Sequence, residues 1–158
     1  MSESWTVHAE AYDAMIARAE ADYPEETCGL IFELGEELEL VPMRNLQNEM
    51  HARDPERFDR DAKTAYFFDP LEFQKVLQEK DGQGKALRSI YHSHPDHDAY
   101  FSKKDREDAV PPDWGEPLYP GTIYVVVSVK EGKAADVKGF LWSEDARDFS
   151  ELDVHRSS

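Results

Sequence analysis

Two histidines one residue apart, His92 and His94, end the strand-like run "ALRSIYHSH" at 86–94. Side chains at i and i+2 of a strand point to one face, so both imidazoles can converge on one point. Seven residues separate His94 from Ser102 and two more separate Ser102 from Asp105, completing H-x-H-x7-S-x-x-D. Two imidazoles and one carboxylate leave a tetrahedral Zn²⁺ with a fourth position open for water. That is the composition of a catalytic zinc site, whereas closed structural sites fill all four positions with Cys and His. A hydrolytic site also needs a carboxylate outside the ligand set to take the proton of the water. "YPEETCGLIF" offers Glu25 and Glu26 for this, where a helix hands over to a strand.

Each of these residues also has a plainer reading. "SKKD" at 102–105 is a helix capping box whatever else it does, and the cap and the metal site can coexist. Cys28, the single cysteine, lies in an apolar run, where a thiol packs as a small hydrophobe rather than acting as a nucleophile. Asp96, His97 and Asp98 read as a solvated loop, with an auxiliary metal or substrate contact as the alternative. Trp114 is either an exposed substrate contact or a core anchor. His8, His51 and His155 carry no pattern.

The elements that must position these groups follow from periodicity. Residues 8–21 form a helix with Ala11, Met15, Ile16 and Ala19 on one face, stopped by Pro24. "TCGLIFEL" and "ELELVPMRN" read as a hairpin around Gly35 and Glu36. Residues 47–65 are polar, patternless and long, and are expected to form a flap over one face. In "DPLEFQKVLQEK" Asp69 caps a helix, Pro70 takes its first position, Glu72 completes a capping box, and Phe73, Val76 and Leu77 form the buried stripe. The strand 86–94, a short helix at 102–110, a Pro/Gly loop at 111–121, the strand "TIYVVVSVK" and a last strand "VKGFLW" follow. The acidic tail 143–158 is expected to be a short helix or frayed. The fold class is α/β of the mixed α+β kind: one mixed sheet with flanking helices in a single domain spanning 1–158, its core at about 8–142.

The 34 acidic residues against 18 Lys and Arg give a net charge of −16. Phosphate backbones repel such a surface, which excludes nucleic acid as a partner. No segment reaches the ~20 apolar residues of a membrane span and no leader is apparent, so a cytoplasmic location is expected.

Taken together, these residues resemble the JAMM (MPN-plus) zinc metallopeptidases, and among them the small prokaryotic members. The family pattern is a Glu three residues before a Gly in the first strand, then H-S/T-H-P-x6-S-x-x-D. Glu26 and Gly29 meet the first part, and "HSHPDHDAYFSKKD" meets the second without a gap. "PEETCG", the Asn of "MRN", "FDP" and "YVVVSV" extend the likeness over roughly residues 10–142. The resemblance implies a fold related to the cytidine deaminases and one Zn²⁺ per chain, held by His92, His94 and Asp105. It implies Glu26 rather than Glu25 as general base, and Ser102 as a stabiliser of the oxyanion. The implied substrate is the C-terminal tail of a small ubiquitin-like or sulfur-carrier protein, trimmed at an amide bond. The alternatives are a deubiquitinase-like isopeptidase and a non-catalytic scaffold, the last disfavoured because the motif is intact. The oligomeric state is left open.

Overall fold

The computed structural model describes residues 3–158. Its elements in chain order are β1 (Ser4–Val7), α1 (Ala9–Asp22), β2 (Cys28–Leu34), β3 (Glu37–Met43), α2 (Gln47–Arg53), α3 (Pro70–Gly82), β4 (Ala86–Pro95), α4 (Lys103–Ala109), β5 (Ile123–Lys130), β6 (Lys133–Ser143) and β7 (Asp148–Arg156). Seven strands form one mixed sheet in the order β1-β7-β6-β5-β4-β2-β3. The pairs β4–β5 and β1–β7 are parallel and the others antiparallel.

The strands are apolar on both faces because both faces are covered. On one face α1 lays Ala11, Met15 and Ala19 over Ile31, Tyr91, Val125, Val127 and Val129. On the other, α3 packs Phe73, Val76 and Leu77 beside Leu30, Phe32, Ile90 and Val126. Asp69 caps α3 as expected, accepting from the N–H groups of Leu71 and Glu72. The Glu72 carboxylate, expected to complete a capping box, instead lies 3.8 Å from Arg44.

Three elements depart from the expectations. Residues 47–65 are not patternless throughout, since they open with α2, and Gln47, Ala62 and Ala65 are buried. The tail is neither helical nor frayed: β7 pairs along β6 and buries Leu152 and Val154. β1, four residues long, docks on β7 and buries Trp5 and Val7. Its partner lies about 150 positions away, so no local signal announces it. Among the described residues no helix is long and apolar enough to cross a membrane.

Candidate active site

The site is built where β2 and β4 run side by side. Cys28 of β2 stands opposite His92 of β4. Beyond this pair the two chains stay joined: the Ser93 N–H donates to the Thr27 carbonyl at 3.1 Å, and the Thr27 N–H donates to Ser93 Oγ at 2.7 Å. The same register carried two positions past Cys28 brings Glu26 opposite His94. With period 2, Ile90, His92 and His94 share the face covered by α3 and α4. Gly29 sits opposite Tyr91, and a Cβ on Gly29 would fall 2.2 Å from the Tyr91 hydroxyl oxygen. The glycine three residues after Glu26 is therefore required by close approach of a buried ring.

Asp105 arrives from α4. Ser102 Oγ accepts from the Asp105 N–H at 3.0 Å, and Asp105 Oδ2 accepts from the Ser102 N–H at 3.1 Å, a complete capping box. The two readings of "SKKD" thus coexist, because the cap aims the carboxylate. Oδ2 lies 3.1 Å from His92 Nε2 and 3.1 Å from His94 Nε2, and the two Nε2 atoms are 3.2 Å apart. All three residues are buried.

These three atoms fit a bound cation. His94 Nδ1 is 2.9 Å from the Asp98 carbonyl, which can only accept, so Nδ1 carries the proton and Nε2 of the neutral ring presents a lone pair. That lone pair faces a carboxylate oxygen, an arrangement a cation between them stabilises. Ligands ~2.0–2.1 Å from a tetrahedral ion stand roughly 3.3 Å apart, close to the spacings here. Without a cation the carboxyl depends on imidazoles that turn a proton toward it: burial pushes Asp105 up, and His92 first, then His94, more than offset this and hold it well below the ordinary carboxylate range.

Glu26 is buried while Glu25 is exposed, with its Oε2 accepting from Asn48 Nδ2. The Glu26 backbone is fixed on both sides. Its N–H donates to the Ala62 carbonyl at 2.7 Å, and its carbonyl accepts from Asn45 Nδ2 at 3.0 Å. Glu26 Oε1 is buried and has no partner. Burial first, and the Asp105 carboxylate second, push this carboxyl well above its ordinary range, with Arg60 and Lys104 acting the other way. An unsatisfied buried oxygen is costly, and its presence beside three convergent ligand atoms marks a place prepared for chemistry.

Several residues in the neighbourhood escaped the sequence reading. Tyr66 stacks on the His92 ring, with centroids 4.7 Å apart, and Tyr100 meets the His94 ring edge-on at 5.0 Å. Asn45 ties Glu26 to the Ala65 carbonyl and accepts from the Gln47 and Phe67 N–H groups. The only prior sign was its place in "MRN". Tyr66 also walls a cavity of about 450 Å³ with Phe68, Phe73, Tyr119 and Tyr124; none of Glu26, His92, His94, Ser102 and Asp105 lines it, and Tyr66 links it to the His92 ring.

The other candidates fall outside. Asp96 takes a positive φ of 59° and its carboxylate fastens the loop, accepting from the Tyr23 hydroxyl and the Glu131 N–H. Asp98 pairs with Lys130 at 2.6 Å, and its carbonyl orients His94, while His97 is exposed. Cys28 is buried with Sγ 3.6 Å from the Met43 carbonyl, and burial, then Glu26, push its thiol up, so it packs rather than reacts. Trp114 is 60% exposed and anchors no core.

The profile described as prokaryotic homologs of the JAB domain matches residues 8–142. The CysO-cysteine peptidase of Mycobacterium tuberculosis is 28% identical over 134 residues, covering 85% of this chain and 80% of that protein. The desampylase of Haloferax volcanii is 27% identical over 157 residues, covering 97% and 96%. Among solved structures, a protein of Desulfitobacterium hafniense superposes with a TM-score of 0.68 at 22% identity, covering 97% of this chain and 92% of that one. A JAB1/MPN domain protein of Archaeoglobus fulgidus does so with 0.55 at 13%, covering 99% and 100%. A match running from α1 through β6, with the convergent residues inside it, leads to one conclusion: the chain belongs to the prokaryotic JAB-domain family.

Proposed function

We propose that this protein is a zinc-dependent peptidase that hydrolyses an amide bond at the C-terminal tail of a small ubiquitin-like sulfur carrier. The observation that supports it most is the convergence of His92 Nε2, His94 Nε2 and Asp105 Oδ2 beside a buried, unpartnered Glu26 oxygen. His92, His94 and Asp105 would hold one Zn²⁺, which when bound polarises the scissile carbonyl and makes a water acidic enough to ionise near neutrality. Glu26 Oε1, buried and without a partner, accepts the proton of the attacking water and returns it to the leaving nitrogen. Ser102 Oγ already accepts from the Asp105 N–H, which leaves its own hydroxyl hydrogen to donate to the developing oxyanion.

The likeness to a CysO-cysteine peptidase supports cleavage of a residue from a carrier tail. Removal of the whole carrier from a lysine side chain is the second reading, supported by the likeness to a desampylase along nearly its full length. The intact ligand set opposes a non-catalytic scaffold. The test is to incubate the protein with peptides and carriers ending in Gly-Gly-Xaa and weigh the products, with zinc counted by elemental analysis. Wild type should carry stoichiometric zinc and release Xaa, and His94→Ala should lose both. Absence of stoichiometric zinc from the wild type would sink the proposal.

A further inference from the structure

The leaving group of the proposed reaction imposes a charge problem on this site. Glu26 must hand its proton to the leaving nitrogen. If the released group is a C-terminal residue, its free carboxylate hangs two bonds from that nitrogen. The carboxylate then enters a pocket already holding Glu26 and Asp105, in a chain of net charge −16. Like charges at this range cost binding unless a cation faces the newcomer. A lysine side chain as leaving group brings only an apolar stem and poses no such problem.

Two cations act on Glu26, namely Arg60 and Lys104. Lys104 is committed, 2.8 Å from the Asp108 carboxylate. Arg60 is exposed and, among the described residues, has no carboxylate within ion-pair distance. Its Nη1 only reaches the Thr64 carbonyl at 3.5 Å, the outer limit of a hydrogen bond. The turn that bears it is fastened to Glu26. Gln47 Nε2, from a buried side chain, donates to the Arg60 carbonyl at 2.9 Å, and Asn48 Oδ1 accepts from the Ala62 N–H at 2.7 Å. The Ala62 carbonyl in turn accepts from the Glu26 N–H at 2.7 Å, and Asn45 bridges the Glu26 and Ala65 carbonyls. The strap thus fixes the Arg60 backbone two residues from the carbonyl that receives the Glu26 N–H, with its guanidinium unpaired by any carboxylate among the described residues and acting on Glu26. Neighbouring Arg57, by contrast, lies over the Phe58 ring.

We infer that Arg60 is the specificity residue that receives the free α-carboxylate of the leaving residue, committing the site to release of a single C-terminal residue rather than to isopeptide cleavage. A guanidinium matches a carboxylate in two parallel hydrogen bonds, which an ammonium does not. The inference rests on the peptidase reading above.

The test uses the zinc-loaded protein and a peptide ending in Gly-Gly-Ala, as free acid and as carboxamide. Wild type should favour the acid by roughly 10- to 100-fold in kcat/KM, carried by KM. Arg60→Gln should abolish the preference, read as the ratio of acid to carboxamide kcat/KM within each variant, so that any effect of the lost charge on Glu26 cancels. Arg60→Lys should keep part of it, and Lys63→Gln, which removes an exposed charge from the same strap, should keep all of it. Binding of both peptides to Glu26→Gln, with and without Arg60→Gln, reads the same contact without turnover. Equal binding of acid and carboxamide, or a preference that survives Arg60→Gln, overturns the assignment of Arg60. Acid-selective binding that depends on Arg60 but leads to no cleavage by wild type overturns the peptidase reading and leaves Arg60 standing.

Discussion

Glu26 is held where the fold opposes the charge its proposed role requires. Burial and the neighbouring Asp105 both raise its proton affinity, so in the metal-free protein the ionised form is disfavoured. A carboxyl whose folded pKa exceeds its unfolded value, ~4.3 for Glu, contributes stability below that value. The contribution is lost as pH rises through the folded pKa. Glu26→Gln removes the penalty, so the metal-free variant should melt above metal-free wild type at pH 7, and the gain should shrink below about pH 4. A gain equal at both pH values would show that Glu26 is not the buried acid. The metal-loaded variant should keep its zinc while kcat falls ~10²- to 10⁴-fold. Spacing to Gly29 was enough to choose Glu26 over Glu25 in the sequence. Tyr66 was not legible, because its stacking on His92 depends on how residues 54–69 cross the sheet, and no periodicity encodes that crossing.

At the scale of elements, the seven-residue helix α4 matters because its first turn carries Asp105. Ser102 serves it twice in the proposed mechanism, once as the cap that orients the carboxylate and once as a donor to the oxyanion. Substitution separates the two roles. Ser102→Ala should lose ~0.5–2 kcal/mol of stability with the cap, and metal affinity should fall ~10- to 100-fold as Asp105 loses its orientation. Ser102→Asn restores a capping oxygen and should recover stability and metal, measured by melting and by zinc competition. If its turnover recovers as well, the serine hydroxyl has no part in the chemistry. The capping pattern and strand alternation made α4 and β4 readable with their site residues in place. The chain between β3 and α3 was harder. α2 is short, lacks an apolar stripe and is held by Asn45 and Asn48 through side-chain to backbone bonds, which leave no periodic trace.

For the whole molecule, the first and last strands together form one edge of the sheet, β1 outermost and β7 inside it. The expectation of a short helix or a frayed tail followed from its acidity, yet in "ELDVHR" the alternation of Leu152 and Val154 is the signal that counts. Both side chains press on Gly139 of β6, where a Cβ would stand 2.8 Å from Leu152 Cδ1. β7 also supplies the partner that holds β1, so Trp5 and Val7 reach the core only through it. β7 lies three strands from β4, roughly 14 Å across the sheet, so its effect on stability is separable from the chemistry. Leu152→Ala is expected to cost ~2–5 kcal/mol, a fall in melting temperature of roughly 4–20 °C for a chain of this size. Zinc content and kcat at 25 °C should stay at wild-type values. Truncation after Ser143 removes the same contacts together with the β1–β7 ladder, and should give a chain that aggregates or unfolds at that temperature. An unchanged melting temperature for Leu152→Ala would mean that the tail does not form part of the folded sheet, and that the core ends at β6.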